Sequence, residues 1–326
     1  MKIAIVSNQI FTDGRVTNPI LTRMKNSMQR DERVEEVMLL PVNYSLKGLT
    51  SIRSAAKLCD VVHIHFGGLY ALAVWLFLLG VKRPKLITFH GTDIHAKAIR
   101  TEKKLLSKLK IKLNQYASFL SILSFDKTGF VAKEMEMYVP KCFGGTLKRK
   151  SFLQSLGVDY KTFRLMDQKE AKEKLKLGDT KYGLFSTISN TNIKRQDIAE
   201  AIIKELGDGF KILVMCGVKP VEVPVYINAS DFLILTSDEE GSPNIIRECL
   251  SLNKPVFSVN VGDAALQLEG LVNSRIIDRN PSVAAKEIYN SLDKTYIDNT
   301  REKLRNRLDF DCLNKGIIEI YEKLLK

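Results

Sequence analysis

The sequence predicts two consecutive α/β domains, each a parallel sheet covered by helices. Three observations carry that prediction. Short apolar runs alternate with longer segments of helical spacing. The alternation restarts in the second half of the chain. At 326 residues the chain is too long for a single comfortable core.

The opening MKIAIVSNQI reads as a buried strand, Lys2–Val6, because its apolar stretch is shorter than a secretory leader needs. Further strands are expected at Val34–Leu40, Val61–His65, Lys85–Phe89 and Leu120–Leu123, with helices at Asn18–Met28 and Leu69–Leu79. The run from Leu69 to Val81 is the longest apolar stretch. It falls short of the roughly 18 residues that would span a bilayer, so it reads as a buried helix. In the second half, strands are expected at Tyr182–Thr187, Lys211–Met215, Asp231–Thr236, Lys254–Val259 and Ser274–Ile277. Helices are expected at Ile198–Leu206, Ile245–Leu252 and Ser282–Leu292. The stretch 140–170, rich in Pro, Gly and basic residues, marks the break. The predicted domains are therefore 1–155 and 156–308, and the last segment, 309–326, is a helix packing back on the first domain.

Composition narrows the class. Hydrophobic residues make up 45% and charged residues 27%, which excludes disordered and fibrous proteins. Five cysteines at 59, 142, 216, 249 and 312 form no C-x-x-C pair, so reduced thiols are expected rather than a disulfide framework or zinc ribbon. The net charge of +13 calls for an anionic partner.

The densest chemistry lies in SDFLILTSDEEGSPNIIRECL, residues 230–250. A buried strand ends in a polar loop, and a helix follows. Ser242 reads as the N-cap and Pro243 as the first helical residue. The free amides of Asn244 and Ile245 then make an anion site suited to a diphosphate. It falls at the carboxyl end of a strand, where open α/β sheets bind ligands. Two carboxylates frame it, Glu240 in the loop and Glu248 on the helix. An ionised carboxylate accepts two hydrogen bonds, so sugar or ribose hydroxyl pairs are fitting partners.

The segment EGSPNIIRE, with its flanks NASDFLILTSD and CLSLNKPVFSVNVGD, resembles the Glu-x7-Glu motif of retaining GT-B glycosyltransferases, notably family 4. DVVHIHFGG, KLITFHGTDIH and GVDYKTF resemble further signatures of that family. The resemblance implies two Rossmann-like domains facing across a cleft, an N-terminal acceptor-binding one and a C-terminal nucleotide-sugar-binding one. It implies that Glu240 contacts hydroxyls of the donor sugar and Glu248 the ribose, while the amides of Gly241, Ser242 and Asn244 cover sugar and phosphate. His90 would sit beside the reacting sugar. His63 or His65 would line the acceptor side, with Thr92 and Asp93 placing the acceptor. Gly14, in the turn after the first strand, would lie against the donor phosphates or the acceptor, with Arg15 adding charge. Lys194 matches the Lys of the family's diphosphate clamp. The Arg expected about five positions earlier falls on Ser189 or Asn190, and Arg195 is the candidate substitute.

By the same resemblance the donor is a UDP- or GDP-sugar, no metal or other cofactor is required, and the acceptor is a glycan or a lipid-linked glycan. Relatives shortened after Cys216-Gly217, as this chain is, resemble enzymes of surface polysaccharide biosynthesis, which implies a cytoplasmic protein. Residues 100–116, RTEKKLLSKLKIKLNQY, space Leu105, Leu106, Leu109 and Leu113 as on a helix among six basic residues. Such a helix suits the anionic inner face of a membrane, or else buries its leucines in the core and solvates its basic face. A zinc site at His63-x-His65 lacks further ligands. A nucleic-acid reading lacks a recognition motif, and a nicotinamide enzyme lacks the glycine fingerprint. The alternative from another class is a catalytically weak family relative that binds a sugar nucleotide or a membrane.

Overall fold

A computed structural model describes residues 1–11, 19–42, 45–95, 104–187, 192–292 and 299–326. The chain separates into two units, Met1–Leu156 with Phe310–Lys326, and Gly157–Asp309.

Six parallel strands build the sheet of unit 1: β1 (Lys2–Ser7), β2 (Glu36–Pro41), β3 (Val61–His65), β4 (Lys85–Phe89), β5 (Lys127–Phe130) and β6 (Ser151–Leu153), in the order β2-β1-β3-β4-β5-β6. Its helices are α1 (Pro19–Met28), α2 (Leu46–Leu58), α3 (Leu69–Phe77), α4 (Thr92–His95), α5 (Leu105–Ser124), α6 (Gly144–Lys150) and the last helix of the chain, α15 (Phe310–Leu325). Strand β1 is a continuous apolar run, Ile3 to Val6, with no exposed surface, as a strand covered on both faces must be. The strand order reverses between β1 and β3, which opens a crevice at their carboxyl ends.

One expectation fails here. Leu120–Leu123 is not a strand but the last turns of α5, and the strand that follows is β5, KTGF. Its composition hides it. Thr128 is fully buried, and a Cβ on Gly129 would lie 2.3 Å from Thr88 Oγ1 and 2.7 Å from the Phe152 ring. Close strand packing demands a small residue there, not an apolar one. Strand β6 falls within the stretch read as a linker. For the face of α5 two alternatives stand, and burial of its leucines in the core is the one the structure does not bear out. Leu105, Leu106, Leu109 and Leu113 do share one side, but it is the outer one, with Leu105 81% exposed.

Helix α15 packs on α1 and adds Phe310, Ile317, Ile318 and Tyr321 to the core of unit 1. A buried hydrogen-bond chain keys it in. Thr88 Oγ1 donates to Gln154 Oε1, so it accepts from His63 Nε2 at 2.8 Å. His63 Nδ1 is then unprotonated and accepts from the Tyr321 hydroxyl at 2.6 Å. At the surface, Arg30 Nε meets Asp311 Oδ1 at 3.0 Å.

Unit 2 carries a five-stranded parallel sheet: β7 (Lys181–Thr187), β8 (Phe210–Cys216), β9 (Phe232–Leu235), β10 (Val256–Ser258) and β11 (Arg275–Ile276), in the order β11-β10-β9-β7-β8. The helices are α7 (Gln168–Lys174), α8 (Gln196–Leu206), α9 (Val223–Ala229), α10 (Asn244–Leu250), α11 (Ala264–Leu268), α12 (Pro281–Leu292), α13 (Thr300–Lys303) and α14 (Arg305–Leu308). Separate apolar clusters, one around Leu184, Leu233 and Ile246 and one around Phe185, Phe232 and Ile202, give the sheet two packed faces. The first and last residues of the unit are joined: Val158 N–H donates to Leu308 O at 2.6 Å. All five cysteines carry free thiols. Among the described residues, no helix is long and apolar enough to cross a membrane.

Candidate functional site

In unit 2 the strand order reverses between β7 and β9, so ligand chemistry belongs at the carboxyl ends of these two strands. Two of the expected residues meet there. Lys194, in a 3-10 turn after β7, places Nζ 2.5 Å from Glu240 Oε1, beyond the end of β9. Ser237 Oγ donates to the same oxygen at 2.7 Å. Neither charge is fully buried, the side chains keeping 26% and 15% of their surface, so a ligand can reach both.

Backbone contacts latch the two loops together. Asp238 N–H donates to Ile193 O at 2.8 Å, and Thr236 Oγ1 donates to Arg195 O at 2.8 Å. Arg195 adopts a left-handed backbone (φ 51°) at the start of α8. Its guanidinium pairs with Asp197 at 2.8 Å and Asp238 at 3.5 Å and is thus held by carboxylates other than Glu240. Arg279 escapes sequence reading. It follows the edge strand β11 and donates to Asp238 Oδ1 at 2.8 Å and to Ser237 O at 2.9 Å. The only sequence signal is a basic residue directly after a strand and before the helix that opens at Pro281.

The start of α10 departs from expectation. Pro243, not Ser242, occupies the N-cap position, and no side chain caps the helix. The Ser242 hydroxyl donates instead to Asp263 Oδ2 at 2.7 Å. Arg247, buried against Asp263 at 3.2 Å, donates to Ser242 Oγ at 2.7 Å. The capping oxygen is thus recruited by a buried ion pair, which charge-assisted bonding favours. Gly241 is propped from behind: Asp263 N–H donates to its carbonyl at 3.2 Å. Gly262 has φ +57°, and a Cβ there would lie 2.4 Å from that carbonyl oxygen. Asn244 Oδ1 is buried without a protein partner. Glu248 is buried, with 9% of its surface left, and the side chain of the loop acid Glu240 keeps 15%.

In unit 1 the ends of β3 and β4 bring three histidines together. His63 and His65 share one face of β3, their ring centroids 4.4 Å apart. His65 Nδ1 lies 3.0 Å from His90 Nε2, and His90 is half-buried and stacked on Phe66 at 4.0 Å. Burial pushes His63 and His90 down to about 3, and His65 well below its usual value, so all three rings are neutral near pH 7. His65 Nε2 has no partner. An orphaned N–H is the costlier defect, so His65 carries its proton on Nδ1, donates to His90 Nε2, and leaves the His90 proton on Nδ1.

His65 itself has no exposed surface; it orients His90 rather than lining an open site. Asp93 is likewise turned inward, its carboxylate accepting from the amides of Gly67 at 2.7 Å, Gly91 at 2.8 Å and His90 at 3.1 Å. Burial pushes its carboxyl up against the pull of these amides. It fixes the loop that presents His90. Thr92 lies in α4, and its side chain is outside the described residues, as are Gly14, Arg15, Arg100, Lys103, Ser189 and Asn190. Among the described residues no group of three or more His, Cys, Asp or Glu side chains is placed to hold a metal ion.

No family model matches the sequence, and no curated protein matches it. Solved structures do match the fold. HepE of Anabaena in complex with UDP-glucose has a TM-score of 0.72 at 15% identity, over 99% of this chain and 100% of that one. Sucrose-phosphate synthase of Thermosynechococcus elongatus has a TM-score of 0.71 at 13% identity, over 99% and 98%. The N-terminal domain of trehalose-6-phosphate phosphatase of Candida albicans gives 0.68 at 11%, over 99% and 98%. At these identities the likeness is one of fold: a two-unit α/β chain with Rossmann-like sheets, the GT-B architecture.

Proposed function

We propose that the chain is a retaining, nucleotide-sugar-dependent glycosyltransferase of the family 4 type. The observation that carries this reading is the Lys194–Glu240 pair at the reversal of strand order in unit 2. A donor diphosphate brings more negative charge than a single carboxylate, so it draws Lys194 away from Glu240. The freed carboxylate then accepts hydroxyls of the donor sugar. Gly241, Ser242 and Asn244 contribute backbone amides along the sugar and phosphate, and Glu248 takes the ribose hydroxyls. Gly14 and Arg15 are assigned to the donor phosphates on the family resemblance alone. HepE, a neighbour in fold, is described with UDP-glucose, which favours a UDP-sugar donor, with a GDP-sugar the other choice.

In the reaction the bond from the anomeric carbon to the diphosphate oxygen breaks, and the acceptor hydroxyl attacks from the same face. The acceptor proton passes to the departing phosphate oxygen. Lys194 stabilises the charge that develops there, an electrostatic role that requires no metal ion. His90, neutral near pH 7, donates a hydrogen bond through Nδ1 beside the reacting sugar and does not serve as a general base. Asp93 and His65 hold it in place, and Thr92 helps to place the acceptor. The acceptor is a glycan or lipid-linked glycan, and the setting is surface polysaccharide assembly on the cytoplasmic side of the membrane.

A second reading has one specific observation in its favour. Arg195, the candidate replacement for the missing clamp arginine, is held by Asp197 and Asp238, which leaves Lys194 to bind the diphosphate without it. A weak or inactive relative that only binds sugar nucleotides fits that arrangement. Turnover of a panel of UDP- and GDP-sugars separates the two. Wild type should release nucleoside diphosphate, and Lys194→Ala should lose about 10²–10³ in kcat, as removal of one preorganised donor does. The pair is partly exposed, so stability should fall by under about 1 kcal/mol. Equal turnover in wild type and Lys194→Ala would overturn the proposed chemistry, and donor binding without turnover in wild type would favour the second reading.

A further inference from the structure

The outer surface of unit 1 carries an apolar ridge that stands exposed among the described residues. Along α5, Leu105, Leu109, Leu113, Tyr116, Leu120 and Leu123 are all exposed, and with Leu106 they fall within about 100° of arc on a helix about 30 Å long. The helix cannot roll to bury them. Its inner face already buries Phe119 and Ile122 in the core and is fixed by hydrogen bonds: Ser118 Oγ donates to Asp93 O at 2.7 Å, Gln115 Nε2 to Ile94 O at 2.7 Å, and Asn114 Oδ1 accepts from Leu69 N–H at 3.0 Å. A Cβ on Gly67 would meet Ser118 Oγ at 2.5 Å, so the contact is already as close as it can be. Helix α3 packs beside α5 and shows Leu69, Leu76 and Leu79 half exposed. An apolar surface of this extent on a soluble protein marks a place of contact.

The charges around the ridge select its occupant. Lys110 and Lys112 stand exposed at the two margins, with Lys104 at the N-terminal end. Helices α3, α5 and α6 contain no aspartate or glutamate, and α6, which packs against α5, ends in Lys148, Arg149 and Lys150. Pairing of two such ridges would set lysine against lysine with no carboxylate on these helices to relieve it. A surface that is apolar within and anionic at its rim fits instead. We infer that α5, with α3 beside it, docks unit 1 onto a lipid bilayer containing anionic headgroups, the leucines entering the interface and the lysines meeting the headgroups. The docking does not depend on the glycosyltransferase reading. Its consequence does: if that reading holds, the acceptor is presented at the membrane surface.

Flotation of the full chain with vesicles tests this. The protein should rise with phosphatidylcholine vesicles containing about one third phosphatidylglycerol, and much less with phosphatidylcholine alone. Leu109→Gln with Leu113→Gln should weaken partitioning about 100-fold, and Lys110→Gln with Lys112→Gln should weaken it about fivefold per lysine on anionic vesicles only. Both pairs are exposed, and an unchanged circular dichroism spectrum and melting temperature will show that they fold. Wild type remaining unbound, or the glutamine pair at 109 and 113 floating as wild type does, overturns the inference. So does light scattering that finds a dimer which this pair dissolves, for then a second copy covers the ridge. Hydrolysis of soluble donor should be the same in wild type and the Leu109/Leu113 variant. If neither hydrolyses donor while flotation behaves as expected, the enzymatic reading fails and the docking stands.

Discussion

Acidification from pH 7 to pH 5 should weaken unit 1 sharply, through its histidines. Burial holds the His63 and His90 rings at about 3 and His65 well below its usual value, whereas in the unfolded chain each titrates near 6.5. The folded state therefore binds fewer protons over this interval. The stability is fully present above the unfolded value and is lost as the pH falls towards about 3. At pH 5 an unfolded imidazole is protonated about thirty to one, which costs the folded state about 2 kcal/mol per ring. His63, with no exposed surface, thus accounts for about 2 kcal/mol; His65, equally buried, adds to it in the same direction, and His90, which is partly exposed, adds a smaller amount. Most carboxylates stay ionised over this window.

The assay is built into the chain. Trp75 is its only tryptophan, and it packs against the core of unit 1, so its fluorescence follows that unit. With a urea slope of about 2–3 kcal/mol per molar, the midpoint should fall by about 1 M or more between pH 7 and pH 5. His65→Asn should reduce this pH dependence, whatever it does to stability at pH 7. A midpoint that moves by less than about 0.3 M, or resonances of His63, His65 or His90 that titrate near 6.5 in the folded protein, would refute the buried neutral network.

Two further outcomes follow from particular contacts. Tyr321→Phe removes the hydroxyl that satisfies His63 Nδ1 and should cost about 1–3 kcal/mol in unit 1 by urea unfolding, the penalty for an unpaired buried acceptor. Gly262→Ala drives a methyl group into the Gly241 carbonyl at a positive φ. It should destabilise unit 2 by more than about 1 kcal/mol and weaken donor binding in a thermal-shift titration, since the loop it props carries Glu240.

The strands that could be read from sequence were those whose burial on both faces forces apolar runs. Val61–His65 and Lys85–Phe89 match to the residue. Strand β5 was illegible because its packing selects for smallness: Gly129 must clear Thr88 and Phe152. The tail of α5 was misread for the complementary reason, since its leucines face outward and their apolarity reports a surface rather than a core. In the site, the meeting of Lys194 and Glu240 could be expected from their places after two strands of one sheet. The role of Arg279 could not, because it depends on an edge strand of two residues and on a guanidinium reaching across the neighbouring strand end. The capping assignment of Ser242 failed because a buried pair distant in sequence, Arg247 and Asp263, outcompetes a local amide for the hydroxyl.

Unit 1 is discontinuous, and this sets an order of events during translation. Residues 157–309 leave the ribosome before α15 does, so unit 2, a single uninterrupted stretch, can complete its fold while its neighbour still lacks a helix. Until Tyr321 emerges, the surface of α1 that receives α15 stays open and His63 Nδ1 lacks its hydroxyl donor. Nascent chains are therefore most vulnerable to capture by chaperones or proteases in the N-terminal portion, although it was made first, and the final turns of α15 end that exposure.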